Sequence, residues 1–359
     1  MRIIHLAGDL GLGGIERVVQ RLALAQRAAG WEVGVISTRG GGLVADELAS
    51  QGIPVDNLAL SAAGGWGAVP ALISRFRARK PFLLHAHGVI GPAGRLAGRL
   101  AGADAIVQHL HGTDSYGPGR RAFERLLPAD IYLAISKAVA DDFERQTGIR
   151  PEVLHNPVDT KQFQWSSESS ARGRTLLGAS EGSPVVTLMG RFVPSKAQGV
   201  LVEAMPEVLA RHPKALFVFI GDGPLKKEIE AKAERFGGAA RFLGAQNDPV
   251  PYLNASTVYV QPSVDREGVC LAVLEAMSCA RPIVASKVEG LPEAVGDAGE
   301  LIPSKDAGAL AGAINALLDE PARREDLGAR ARERVQAEFS LSSISKTLDA
   351  LYKKLGAAR

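Results

Sequence analysis

The sequence predicts an α/β protein of two domains, each a doubly wound parallel sheet covered by helices. Three observations carry this expectation. Short β-rich runs alternate with longer helical patterns from the first residue. The alternation lapses once near the middle and then starts again. The 359 residues also exceed the roughly 250–300 at which one hydrophobic core stops growing, so a cleft between two domains is the default ligand site.

In the first half, strands are expected at 2–7, 32–37, 82–86, 105–109 and 131–135, with helical patterns such as 15–29 and 136–146 between them. After the turn signal Asn156-Pro157-Val158-Asp159, the apolar pattern gives way to a Ser-rich stretch at 164–173. The interdomain linker is placed there, dividing a first domain of 1–165 from a second of 166–339. Strands then resume at 184–189, 215–221, 241–243, 257–261 and 282–285, with helices such as 198–211 and 269–279. Beyond Asp306 the pattern is helical, and 341–355 places apolar residues at helical spacing without saying which domain they cover.

Composition narrows the function classes. With 46% apolar and 23% charged residues, 40 Gly and 20 Pro, the chain reads as a soluble globular protein with many tight turns. Its two cysteines, Cys270 and Cys279, lie nine residues apart in one apolar segment, which suits a reducing cytoplasm better than a disulfide framework. There is no signal-peptide pattern and no 18-residue apolar run to span a membrane. A net charge of +3 is too small to argue for nucleic acid. Residues 57–103, however, hold six bases (Arg75, Arg77, Arg79, Lys80, Arg95, Arg99) and no acid, which leans towards an anionic partner; a solvated helix face is the commoner reading.

Four segments carry chemistry. In Gln261–Met277 a strand ends, a loop follows and an apolar helix begins, with Glu267 in the loop and Glu275 about two turns into the helix. Between them, the backbone amides of Gly268, Val269, Cys270 and Leu271 mark a helix N-terminus, which favours a phosphate or diphosphate. Carboxylates beside a phosphate site are useful for accepting hydrogen bonds from sugar hydroxyls. Gly190-Arg191 and Lys196 leave the carboxyl edge of a strand, where open α/β sheets bind ligands, and supply cations for a departing diphosphate. The glycine-rich turn Gly8–Glu16, with Gly13 and Gly14, fits neither G-x-G-x-x-G nor a P-loop, but lets backbone approach a ligand closely. Finally, His85-Ala86-His87 and His109-Leu110-His111 end two strands, and alternation puts each pair on one face. That spacing could hold a metal, but no carboxylate–histidine cluster completes a ligand set, and no metal is expected.

Together these residues resemble the family-4 glycosyltransferases of the GT-B fold. The match runs over nearly the whole chain: Gly13-Gly14-Ile15-Glu16-Arg17, His111-Gly112-Thr113-Asp114, Asn156-Pro157-Val158-Asp159, Gly190-Arg191 with Lys196, Gly221-Asp222-Gly223-Pro224, and the Glu-x7-Glu segment from Glu267 to Glu275. The resemblance implies two Rossmann-like domains, the first for the acceptor and the second for a nucleotide-diphosphate-sugar donor, with a C-terminal helix (340–359) crossing back to the first. It implies a retaining, metal-independent hexosyltransferase without a resident cofactor, at work in glycan, polysaccharide or glycoconjugate synthesis. By matching position, Glu267 and His111 meet the transferred sugar, Glu275 the ribose, Arg191 and Lys196 the diphosphate, and Gly14 the phosphate. A lipid-linked or anionic acceptor and peripheral association with the inner face of a membrane complete the expectation.

The sequence departs from the common pattern at three places: Ala197 follows Lys196 where glycine is usual, Cys270 stands for Gly or Pro, and Pro157 follows Asn156 in place of Gly. The competing readings are a nucleotide-sugar epimerase or hydrolase on the same fold, a metal-dependent hydrolase built on the histidine pairs, and a non-enzymatic nucleotide-sugar binding module.

Overall fold

The computed structural model describes residues 2–60, 66–88, 91–265 and 267–357. The chain forms two compact units, Met1–Pro157 with Leu341–Arg359, and Val158–Ser340.

The first unit holds a parallel sheet of seven strands: β1 (Arg2–Ala7), β2 (Glu32–Ser37), β3 (Val55–Asn57), β4 (Phe82–His87), β5 (Ala105–Leu110), β6 (Ile131–Ala134) and β7 (Glu152–Val153), in the order β3-β2-β1-β4-β5-β6-β7. The chain steps outward from β1 on one side, then jumps back to β4 and steps outward on the other. The carboxyl ends of β1 and β4 therefore flank the topological switch point, where such sheets bind ligands. Ile3, Ile4 and Leu6 of β1 are all fully buried, the continuous apolar run expected of a parallel strand covered on both faces.

The C-terminal helix Leu341–Ala357 belongs to this first unit, as the resemblance implied; residues 358 and 359 lie outside the described residues. It packs on the helix Gly14–Ala28. Trp31 Nε1 donates to Asp349 Oδ1 at 3.0 Å, and the ring of Tyr352 meets Trp31 edge-on. Tyr352 itself is fully buried.

The second unit repeats the plan with six parallel strands: β8 (Val185–Met189), β9 (Leu216–Ile220), β10 (Ala240–Phe242), β11 (Val258–Gln261), β12 (Ile283–Ser286) and β13 (Gly299–Ile302), in the order β10-β9-β8-β11-β12-β13. Its switch point lies between β8 and β11. Among the described residues, no helix is long and apolar enough to cross a membrane.

Two expectations need correction. The Ser-rich stretch is not a linker: Ser167–Leu177 is a helix, with Ser166 Oγ accepting from the Ser169 amide at 3.1 Å. Gly173 fixes it against the backbone of Pro251, since a Cβ there would fall 1.9 Å from the Pro251 carbonyl oxygen. Low apolar content marked an exposed helix face, and the units divide at Pro157/Val158. Second, three strands went unanticipated. β3, β7 and β13 are all sheet edges, short and half-covered or, in β7, exposed, so they carry no apolar run to read.

Candidate active site

Two loops leave the switch point of the second sheet. The loop after β8 starts at Gly190, against which Gly221 lies so closely that a Cβ at Gly221 (φ +132°) would sit 2.1 Å from the Gly190 carbonyl oxygen. The loop after β11 is tied to it by the Val264 amide, which donates to the Ser195 carbonyl at 2.8 Å.

Across this junction Lys196 Nζ donates to both oxygens of Glu267, at 2.7 and 2.6 Å. Glu267 is 5% exposed. A chain of hydrogen bonds holds it: Gln261 Nε2 donates to Ser263 Oγ at 2.8 Å and Ser263 Oγ to Glu267 Oε2 at 2.7 Å, while the Tyr259 hydroxyl is shared between Gln261 Oε1 at 3.0 Å and the Met189 carbonyl at 3.1 Å. Cys270 Sγ lies 3.8 Å from Lys196 Nζ. Burial alone would lower the Lys196 pKa, but its contacts with Cys270 and Glu267 outweigh it and hold it above the ordinary value, with the Glu267 carboxylate as the charged partner, so Lys196 stays an ammonium. Burial, followed by the Glu267 charge, pushes the Cys270 thiol up to about 12, which keeps it a neutral thiol.

The helix that follows runs Leu271–Ser278 with Cys270 as its N-cap. Because the Leu274 amide already donates to the Cys270 carbonyl at 3.1 Å, the amides ahead of the first helical bond are those of Leu271, Ala272 and Val273. The expected anion-facing set thus shifts: Leu271 stays, while Gly268 and Val269 lie in the loop before the cap. Glu275 falls just past the first turn rather than two turns in, and is 8% exposed. After burial, Cys270, Glu275 and Glu267 all help raise the Tyr259 hydroxyl well above its ordinary value, so both carboxylates act on one buried spot. Arg191 is exposed on the β8 loop, its carbonyl accepting from Gln198 Nε2 at 2.9 Å.

Ala197 explains why glycine is usual after the lysine. Its φ of +48° and ψ of 44° place it in the left-handed region, where it caps the helix Gln198–Arg211. A Cβ there costs about 1 kcal/mol. Ala197→Gly is therefore expected to stabilise the second unit by about 0.5–1 kcal/mol, raising its melting temperature by about 2 °C. An unchanged or lower melting temperature would contradict the strain.

In the first unit, β1 leads through the glycine-rich turn into Gly14–Ala28, with Gly13 as N-cap in extended conformation. The Arg17 amide donates to the Gly13 carbonyl at 3.1 Å, so the amides of Gly14, Ile15 and Glu16 precede the first helical bond. The turn is tight because Gly42 (φ +157°) abuts it; a Cβ there would lie 2.8 Å from Gly11 Cα.

The two histidine pairs lie on one face of the sheet, as alternation predicted, and the register brings them together: His5 of β1 pairs with His85, and His87 with His109. His111 follows the end of β5. His5, inside the strand Arg2–Ala7, carries no such spacing signal, and its place among the histidines shows only in the register. Ring nitrogens meet at 2.9 Å (His5–His87), 2.9 Å (His87–His111) and 3.2 Å (His85–His109). Two triplets, His5/His85/His87 and His87/His109/His111, bring ligand-type atoms within 4.8 Å of one another. Nitrogens sharing a tetrahedral zinc at 2.0–2.1 Å stand about 3.4 Å apart, so the 2.9 Å contacts are ring-to-ring hydrogen bonds. Burial, the leading cause, lowers the pKa of His5 and His109 to about 4 and carries His85, His87 and His111 well below 6.5.

Three of the six bases in the acid-free stretch meet acids in space. Arg79 pairs with Asp56, Arg99 with Asp130 at 2.9 Å, and Arg95 with Glu124 at 2.7 Å in a site where both side chains are 1% exposed. Its lean towards anionic partners is correspondingly small.

Comparisons agree with this geometry. A family model described as Glycosyltransferase Family 4 matches residues 12–162, and one described as Glycosyl transferases group 1 matches 183–320. A GDP-mannose-dependent monoacylated alpha-(1-6)-phosphatidylinositol monomannoside mannosyltransferase of Corynebacterium glutamicum is 31% identical over 280 residues, 73% of this chain and 74% of the relative. A phosphatidyl-myo-inositol mannosyltransferase of Mycolicibacterium smegmatis is 26% identical over 96% of this chain and 91% of its own. Among solved structures, Anabaena HepE in complex with UDP has a TM-score of 0.84 at 23% identity, covering 99% of this chain and 100% of that one. A Rickettsia africae glycosyltransferase reaches 0.86 at 16% identity, covering 99% and 98%.

Proposed function

The chain belongs to the family-4 glycosyltransferases of the GT-B fold, and from that premise we propose that it moves a sugar from a nucleotide-diphosphate-sugar to an acceptor hydroxyl with retention and without a metal ion. The donor falls to the second unit and the acceptor to the first. The observation that carries this reading is the Lys196–Glu267 pair, set at a sheet switch point beside the amides of Leu271–Val273.

A diphosphate at those amides takes over the Lys196 ammonium, and Glu267 is left free to accept from sugar hydroxyls. Lys196 and Arg191 then balance the charge that grows on the leaving diphosphate. In this reading no side chain attacks the sugar. The acceptor hydroxyl enters on the face the phosphate leaves, and a phosphate oxygen accepts its proton. Catalysis rests on position and charge. The two mannosyltransferase relatives, one GDP-mannose-dependent and both acting on phosphatidylinositol compounds, make GDP-mannose the first donor to test and a lipid-linked glycan at the inner face of a membrane the first acceptor.

The test is donor turnover with and without lipid acceptor, in EDTA. Nucleotide diphosphate release that requires acceptor, survives chelation and yields a product of the donor's anomeric configuration is the expected result. Complete turnover without acceptor would replace the transferase with a hydrolase or epimerase. Within the site, Glu275→Ala is expected to raise the donor KM at least about tenfold, the loss of a charge-assisted bond of roughly 1.5–3 kcal/mol, with kcat nearly unchanged. A fall in kcat at constant KM would move Glu275 from ribose binding to the reacting sugar.

A further inference from the structure

The buried histidines are linked through Gln26 and Tyr352 into one array whose protons can be assigned. His5 Nε2 lies 2.7 Å from Gln26 Oε1, an acceptor, so His5 carries its proton on Nε2. A neutral imidazole has one N–H, so His5 Nδ1 accepts, and the 2.9 Å contact to His87 Nε2 is donated by His87. His87 Nδ1 is then an acceptor, and the 2.9 Å contact to His111 Nε2 is donated by His111.

The second branch starts at the same glutamine. Gln26 Nε2 donates to Tyr352 Oη at 3.3 Å, Tyr352 Oη donates to His85 Nδ1 at 2.5 Å, and His85 Nε2 donates to His109 Nδ1 at 3.2 Å. His109 Nε2 closes this branch, buried and without a hydrogen-bond partner among the described residues. The Gln26 amide sets the direction, since its oxygen faces His5 and its nitrogen faces the Tyr352 hydroxyl. Every other bond in both branches follows from that orientation.

We propose that this array is a positioning device: it fixes His111 as the neutral Nε2–H tautomer, so that Nδ1 presents a lone pair at the carboxyl edge of the sheet. Nδ1 makes no hydrogen bond among the described residues, and His111 is half-buried just past the end of β5, where open sheets meet their ligands. A lone pair accepts from a hydroxyl and repels a phosphate oxygen, so His111 selects a sugar hydroxyl. His5, His87, Gln26 and Tyr352 are positioning residues, the last two about as far from the ligand edge as the array extends. The tautomer stands on geometry alone; only the identity of the hydroxyl rests on the transferase reading.

Long-range proton–nitrogen correlation spectra of the uniformly ¹⁵N-labelled protein at pH 7.5 read the tautomers directly, with the His111 signals assigned by their loss in His111→Asn. The expected result is a single Nε2–H form for His5, His85, His87, His109 and His111. Gln26→Met removes the anchor and should leave His111 in a mixture of tautomers, with kcat down about tenfold and donor KM less affected. Gln26→Glu keeps an acceptor towards His5 and should restore both. If Gln26→Met does not fold, Tyr352→Phe releases the Gln26 amide by removing one hydroxyl and should give the same mixing. An active enzyme with His111 as Nδ1–H or imidazolium overturns the relay and leaves the transferase reading standing. So does a Gln26→Met protein that loses thermal stability yet keeps one tautomer and full kcat. The expected tautomer in a protein that turns over no nucleotide-sugar overturns the transferase reading and the hydroxyl assignment with it.

Discussion

Lys196→Ala is expected to lower kcat by about 10²–10³, the usual loss when one preorganised group facing transition-state charge is removed. The ammonium is held 2.6–2.7 Å from Glu267, so it stays charged and in place until the diphosphate takes it over on donor binding, before charge develops on the leaving group. Stability should fall too, because the Glu267 side chain, 6% exposed, is left without its counter-ion; breaking a buried pair typically costs about 3–5 kcal/mol. The two effects separate in the double variant Lys196→Met/Glu267→Gln. It removes both charges, and its melting temperature should recover most of the loss while its kcat stays low. Thermal unfolding and steady-state kinetics on the single and double variants decide the matter. Return of turnover in the double variant would mean that Lys196 serves only to neutralise Glu267, and that the leaving diphosphate needs no ammonium there.

Much of this site was legible in the sequence because its parts are local. Glu267, Cys270 and Leu271 lie in one strand–loop–helix segment, and Lys196 follows a strand directly. Periodicity errs at helix ends, however, and a two-residue delay in the start of the helix at Leu271 moved the amides that precede its first helical bond. The sheets were legible in their centres, where strands buried on both faces read as apolar runs, and illegible at the edges β3, β7 and β13. What the sequence hid are the pairings of distant residues. Arg79, Arg95 and Arg99 looked like an unopposed basic stretch until the fold brought Asp56, Glu124 and Asp130 to them. The histidine pairs looked like half a metal site. Their partners, Gln26 in one helix and Tyr352 in the last, sit 326 positions apart, and no spacing rule marks them.

The same array makes the first unit acid-sensitive in a defined window. Five histidines are neutral in the fold: His5 and His109 with pKa values near 4, and His85, His87 and His111 well below 6.5. In the unfolded chain each returns to about 6.5. Above that value neither state is charged and the unit has its full stability. As pH falls from 6.5 towards 4 the unfolded state takes up protons that the folded state refuses, so unfolding becomes progressively easier. A ring with a folded pKa near 4 loses about 2 kcal/mol of stabilisation by pH 5. His5 and His109 together thus withdraw about 4 kcal/mol, and His85, His87 and His111, held below 6.5 by the same burial, add to it in the same direction, against the roughly 5–15 kcal/mol that holds a typical domain together. The melting temperature of the first unit should therefore drop steeply between pH 6.5 and 5, while the second unit, in which His212 is the single histidine of residues 158–340, moves far less. Calorimetry at pH 5.5 in two buffers of different ionisation heat counts the protons directly. Unfolding should take up about four of them; one or fewer would show that the array is already charged in the fold, where an imidazolium would set N–H against N–H across a ring-to-ring contact.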